Sequence, residues 1–172
     1  VYVVPTADFH ESEYVGAHFK ARSYITGFTG SAGTAIITMT EAGLWTDARN
    51  FLQAKHQLEN TGVTLYRMGE EGVPTIMEYL RSALPEGGTL GFDGRVINAR
   101  LGAEFLALAE EKNAKLAVGE DLVGIIWDDR PELPHAPVRI LTAEYSGRST
   151  ADKLADVRAE MKKQGASVHL LT

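Results

Sequence analysis

Arg49 stands two residues after Asp47 in the run Trp45-Thr46-Asp47-Ala48-Arg49, where the spacing predicts a helix capped by Asp47. A cation in the first helical turn meets the positive end of the macrodipole, at a cost of roughly 0.3 to 1 kcal/mol. Two arrangements would offset it. Asp47 or another carboxylate neutralises the guanidinium, or guanidinium and helix end together hold an anion. Upstream, the run from Gly27 to Gly33 invites a phosphate-loop reading, yet it lacks the Lys-Ser/Thr pair of a P-loop and the spacing of the dinucleotide fingerprint. A strand-like segment follows it, so no helix N-terminus would face a phosphate, and a tight turn is the better reading. Thr29-Gly30-Ser31-Ala32-Gly33 also misses the nucleophile elbow, because Thr29 takes the first glycine position and no helix follows. Ser31 reads as a turn residue.

The histidines, at 10, 18, 56, 135 and 169, form no His-x-x-x-His pair, and the chain has no cysteine. No metal site and no catalytic residue are expected within it. His10 with Asp8 and Glu13 is the best polar cluster, and a loop of that composition makes turns and caps more often than sites. His10, Trp45 and Asp47 are carried forward as possible cleft or interface residues, although large rings beside strands more often pack in cores.

The elements that would position these residues alternate. A strand at Val1–Val4, a polar loop from Thr6 to Glu13 and a short strand at Ser23–Thr26 lead into the glycine turn. A hairpin spans Thr34–Thr46, and the helix begun at Asp47 runs to about Asn60, stopped by Gly62. Val63–Tyr66 is a strand, Pro74 opens a helix carrying Ile76, Leu80 and Leu84, and Leu90–Phe92 is a strand. A longer helix carries Ile97, Leu101, Phe105 and Leu108, before a strand at Leu116–Val118. This order predicts an α/β fold: a mixed β-sheet flanked by helices, parallel where helices cross over and antiparallel at the hairpin. Pro131, Pro134 and Pro137 make an extended linker. Beyond it, Ser149-Thr150-Ala151-Asp152 resembles a capping box ahead of a Leu154, Val157, Met161 stripe, and Val168–Leu171 is strand-like. The expected organisation is one domain over residues 1–143 and the truncated start of a second over 144–172. Both ends run through β-prone sequence, which predicts a piece of a longer protein.

Composition narrows the partners. Over 172 residues, 44% are hydrophobic and 23% charged, as in a packed globular domain, and 17 basic against 23 acidic residues give a net charge of −6. No basic stripe follows a phosphate backbone, so nucleic acid is not an expected partner. Apolar runs are strand length, where a membrane span needs roughly 20 residues, and no signal-peptide pattern opens the chain. The lack of cysteine is compatible with a reducing cytoplasm.

Asp8-Phe9-His10-Glu11-Ser12-Glu13-Tyr14, Gly27-Phe28-Thr29-Gly30-Ser31-Ala32-Gly33-Thr34-Ala35 and Leu44-Trp45-Thr46-Asp47-Ala48-Arg49 resemble, in order and spacing, the N-terminal domain of the Xaa-Pro aminopeptidases (aminopeptidase P) of the creatinase and prolidase family. Phe51-Leu52-Gln53-Ala54, Trp127-Asp128-Asp129-Arg130-Pro131 and Ser149-Thr150-Ala151-Asp152-Lys153-Leu154 resemble the long, three-domain form of that family. Ala48 and Asn50 depart from the Gly and Tyr expected around the arginine. The resemblance implies a creatinase-type N-terminal domain without catalytic residues, contributing to a homodimer and to the wall of a cleft for peptides with proline at the second position. It implies a substrate-binding role for Arg49, a cytoplasmic enzyme, and two divalent metals, usually manganese, in an absent C-terminal metallopeptidase domain. The alternative is a binding or scaffold protein of the same fold that has lost peptidase activity.

Overall fold

The computed structural model describes residues 1–170. They divide into two compact units, Val1–Pro134 and a second that begins at His135. The break falls within the proline segment, after Trp127–Pro131 has been tied to the first unit. There the Trp127 ring stacks on Tyr24 with centroids 4.5 Å apart. The Arg130 side chain donates to the Asp121 carboxylate and, at 2.8 Å, to the His18 carbonyl.

The first unit is built on a six-stranded sheet: β1 (Tyr2–Pro5), β2 (Thr34–Ile37), β3 (Ala42–Thr46), β4 (Val63–Arg67), β5 (Thr89–Phe92) and β6 (Lys115–Ala117), in the order β4-β3-β2-β1-β5-β6. β2 pairs antiparallel with β1 and β3, while β1–β5, β3–β4 and β5–β6 are parallel. Five strands therefore share one direction. Their carboxyl ends, with the start of β2, collect along one edge, where ligands commonly bind in such sheets.

Both faces are covered, which is why β1 to β3 read as nearly continuous apolar runs. Val3, Ile36 and Trp45 point to one face and pack with Leu80 of α3 (Ile76–Ala83), with Leu84 just after it, and with Phe105 and Leu108 of α4 (Ala99–Glu111). Their neighbours Val4, Ala35 and Leu44 point to the other face. That side is covered by α1 (Ala21–Thr26), α2 (Phe51–Gln57) and α5 (Leu122–Ile126). The Trp45 and Tyr66 rings stack 4.0 Å apart from neighbouring strands. A side chain on Gly43 would stand 2.7 Å from both rings, so the strand residue between them has none.

Several local expectations are corrected. Ser23–Thr26 is helical: a 3.6-residue repeat carries Arg22 and Thr26 inward together, and Gly27 closes the turn at φ 74°. Asp47 opens a single 3-10 turn, Ala48–Asn50, before α2, and α2 ends at Gln57. Asn60 and Gly62, both at positive φ, then turn the chain into β4. The α3 helix starts at Ile76, two residues later than Pro74 suggests, because Thr75 and Glu78 form a capping box.

In the second unit, α6 (Ala143–Ser146) was not expected, whereas α7 (Thr150–Lys163) is capped by Ser149, whose hydroxyl accepts from Asp152 N at 3.1 Å. Leu154 and Val157 remain partly exposed on it. Val168–Leu170 do not form a strand, and Leu171 lies outside the described residues. Among the described residues no helix is long and apolar enough to cross a membrane.

Candidate functional site

At the carboxyl edge of the sheet, the segments leaving β1 and β3 and entering β2 enclose a groove of about 500 Å³. Glu13, Ser31, Gly33, Asp47 and Arg49 supply its polar lining, with Met68 and Ile76 on one side. A second, mainly apolar cavity of about 290 Å³ shares Thr34, Met68 and Ile76 with it and reaches Val73, Leu101 and Phe105.

Asp47 is where sequence and structure meet most directly. Extended backbone at the end of β3 leaves its carboxylate free to cap, and Oδ1 accepts from Arg49 N at 3.0 Å, Arg49 Nε at 3.2 Å and Asn50 Nδ2 at 3.2 Å. Oδ2 accepts from Arg49 Nη2 at 2.8 Å. Asp47 is thus the partner that offsets the cation at the helix start. The Arg49 hydrogen bond is the main reason the Asp47 carboxyl sits below the usual carboxylate range, and the same bond raises the guanidinium pKa. The Arg49 side chain is 76% exposed, so this is a weak tether in water. Its remaining N–H groups have no protein acceptor among the described residues and can meet a ligand.

Trp45, two residues earlier, goes the other way. It is fully buried, and its indole N–H donates to the Pro74 carbonyl at 2.9 Å. The expectation of a cleft or interface role for Trp45 is corrected on that ground: its ring belongs to the core cluster that holds Leu80, Leu84 and Phe105. His10 is exposed and lies outside the groove lining. Its loop is organised by Asp8, whose Oδ1 accepts from Ser12 N and His10 N, each at 2.9 Å, and these bonds hold the Asp8 carboxyl below its ordinary value.

Sequence reasoning missed Arg22. It is 4% exposed, pairs with no carboxylate among the described residues, and donates to the Phe28 carbonyl, the Gly30 carbonyl (2.5 Å) and Thr6 Oγ1 (3.0 Å). Burial pushes its pKa down to about 10, which leaves it charged at neutral pH. The available signal was an arginine four residues before Thr26 on the inner face of a segment that ends at Gly27. A second missed cluster joins Arg130, Asp121 and His18 behind the same edge. Burial raises the Asp121 pKa, but the Arg130 and Gly124 hydrogen bonds together with the Arg130 and Arg95 charges outweigh it, and the carboxyl lies below its ordinary value.

No group of three His, Asp or Glu side chains converges as metal ligands among the described residues. The two metals implied by the resemblance therefore have no fitting donor set here.

Residues 14–124 match the family model of the creatinase/prolidase N-terminal domain, and residues 129–172 match a second model of the same description. Aminopeptidase P2 of Arabidopsis thaliana is 38% identical over 174 residues, covering 99% of this chain and 24% of that protein. A probable Xaa-Pro aminopeptidase P of Talaromyces marneffei is 43% identical over 164 residues, 94% of this chain and 25% of that one. Among solved structures, the X-prolyl aminopeptidase of Caenorhabditis elegans, described as a cytosolic enzyme with a di-nuclear active site, superimposes with a TM-score of 0.80 at 30% identity. That match covers 95% of this chain and 27% of the other. The chain spans about a quarter of the length of these relatives.

Proposed function

The chain belongs to the creatinase/prolidase N-terminal domain family, and from that membership we propose that it serves as the non-catalytic N-terminal domain of a metal-dependent Xaa-Pro aminopeptidase. The observation that carries this reading is identity of about 40% to aminopeptidases P across nearly the whole chain. Residues 144–172 are the beginning of a second domain of similar kind, a reading supported by the second family match and by the separate unit that starts at His135.

In this proposal the chain's residues bind and orient. The Arg49 fork, held beside Asp47 at the groove, receives a carbonyl or carboxylate oxygen of a peptide with proline at its second position. The role is orientation and not proton transfer, since the guanidinium stays charged over the working pH range. Two divalent metals, proposed as manganese, would supply activated water for attack on the bond before proline, using ligands from a C-terminal domain outside this chain. The domain walls the substrate cleft and contributes to a homodimer. The enzyme works in the cytoplasm, in line with the description of the Caenorhabditis elegans neighbour.

The test is to assay the full-length protein and the 172-residue chain separately on Ala-Pro-Ala with added manganese. Release of alanine by the full-length protein alone, abolished by chelator, is expected. Chelator-sensitive turnover by the short chain, or none by the full-length protein, overturns the reading.

A further inference from the structure

In the glycine turn beside Arg49 four carbonyls are taken by donors from elsewhere in the chain. The Phe28 and Gly30 carbonyls accept from the Arg22 guanidinium, the Ala32 carbonyl from Thr46 Oγ1 at 2.6 Å, and the Gly33 carbonyl from Thr6 N and Oγ1 at 2.9 and 2.8 Å. Every described peptide bond is trans, and in a trans peptide plane the N–H that follows a carbonyl points the opposite way. The N–H groups of Thr29, Ser31 and Gly33 are therefore turned away from the anchors that hold Phe28, Gly30 and Ala32. Thr29 N donates to Gln57 Oε1 at 2.9 Å. Those of Ser31 and Gly33 find no acceptor among the described residues, and neither does the exposed Ser31 hydroxyl. Both residues line the groove that carries Arg49.

We propose that the Ser31 and Gly33 N–H groups, with the Ser31 hydroxyl, form a receptor for main-chain oxygens of an extended Xaa-Pro peptide, and that the buried Arg22 is the positioning residue that holds it. The proposal rests on the peptidase reading above and deepens it. Donors two residues apart match the spacing at which one extended strand bonds another. A main-chain oxygen is the same whatever side chain follows, so such a receptor sets peptide direction without selecting sequence. A polyanion such as a polyphosphate is disfavoured, because Glu13 and Asp47 line the same groove as Arg49.

Arg22 suits the positioning role. A buried cation without a carboxylate is costly unless its hydrogen bonds are all well made. Each of its three nitrogens donates one hydrogen bond, two to the turn and one to Thr6, and its guanidinium lies 4.7 Å from the centre of the Phe28 ring. The turn cannot relax around it either, since a side chain on Gly30 would stand 2.1 Å from the Phe28 ring. The receptor is thereby fixed before peptide arrives.

The experiment uses the full-length, metal-loaded enzyme and an analogue of Ala-Pro-Ala-Ala with only its first amide reduced, which cannot be cleaved there and keeps the main-chain oxygens of its last three residues. Hydrogen exchange of the segment spanning Ser31–Gly33 is expected to slow at least about tenfold when the analogue inhibits fully. Inhibition with unchanged exchange there overturns the receptor. In parallel, Ser31→Pro removes one N–H and the hydroxyl, while Ser31→Ala removes only the hydroxyl. Provided the melting temperature is kept, Ser31→Pro should raise KM for Ala-Pro-Ala about tenfold with kcat nearly unchanged, and Ser31→Ala should raise it less. Arg22→Met should raise KM, with partial rescue in Arg22→Lys. A folded Ser31→Pro enzyme with wild-type KM overturns the receptor, and Arg22→Lys no better than Arg22→Met overturns the positioning role. A wild-type enzyme that cleaves no Xaa-Pro peptide sinks the peptidase reading as well, which separates that failure from failure of the receptor alone.

Discussion

Two turns face the same groove, and each is organised by an arginine in an opposite way. Arg49 is exposed and clasped by the neighbouring Asp47 carboxylate, two residues away in sequence. Arg22 is buried, has no carboxylate partner among the described residues, and spends its donors on main-chain carbonyls six and eight residues away and on the Thr6 hydroxyl. Charge is balanced where it meets water and left unbalanced where geometry is needed. The difference teaches which arginine can move toward a ligand: an exposed ion pair is readily exchanged for a ligand contact, whereas a buried donor set cannot be released without orphaning its acceptors.

The largest effect that would break this contrast is on stability. Arg22→Met leaves two turn carbonyls unpaired and should cost about 2 to 4 kcal/mol, read from denaturant unfolding of the 172-residue chain. A change within about 0.5 kcal/mol would place Arg22 in the same class as a surface residue. Arg49→Ala should instead leave the melting temperature nearly unchanged while lowering kcat/KM of the full-length enzyme by a factor corresponding to roughly 1.5 to 3 kcal/mol. A sharp drop in melting temperature with wild-type kcat/KM would make Arg49 structural.

Gly30→Ala sharpens the comparison from the packing side. The added carbon collides with the Phe28 ring and comes within 2.7 Å of Asn50 Oδ1, so a loss of about 1 to 3 kcal/mol is expected in the same unfolding measurement. The smallest effect is electrostatic. Asp47 has its pKa lowered by Arg49, so its contribution to stability is present above the ordinary carboxylate value and fades as the pH falls through the depressed one. In Arg49→Ala the Asp47 pKa should rise, as followed by carboxyl NMR titration. An unchanged value would mean that the pair seen here does not persist in solution.

Much of the frame was legible in the sequence. The β-prone runs at Val1–Val4, Val63–Tyr66 and Leu90–Phe92 became strands, and the hairpin expected over Thr34–Thr46 formed, with Thr34 opposite Trp45. Asp47 as a cap and Arg49 as a charge needing an offset followed from adjacency, because both effects act within one turn of chain. Ser23–Thr26 misled because its β-prone residues are overruled by the need to bring Arg22 and Thr26 to the same inner side, and local propensity is a weak prior against burial.

What the sequence by itself determined about this protein is therefore local: the strands and their hairpin, the Asp47 cap, the absence of cysteine chemistry and, through ordered motifs, the family. Only the tertiary structure decided that Trp45 is core, that Arg22 is buried beneath the glycine turn, and that the Ser31 and Gly33 N–H groups are left free beside Arg49. The reason is physical. Caps and alternation depend on neighbours a few residues apart, whereas a free donor is defined by what the rest of the chain has already bonded, and those partners come from Thr6, Arg22 and Thr46 on three separate elements.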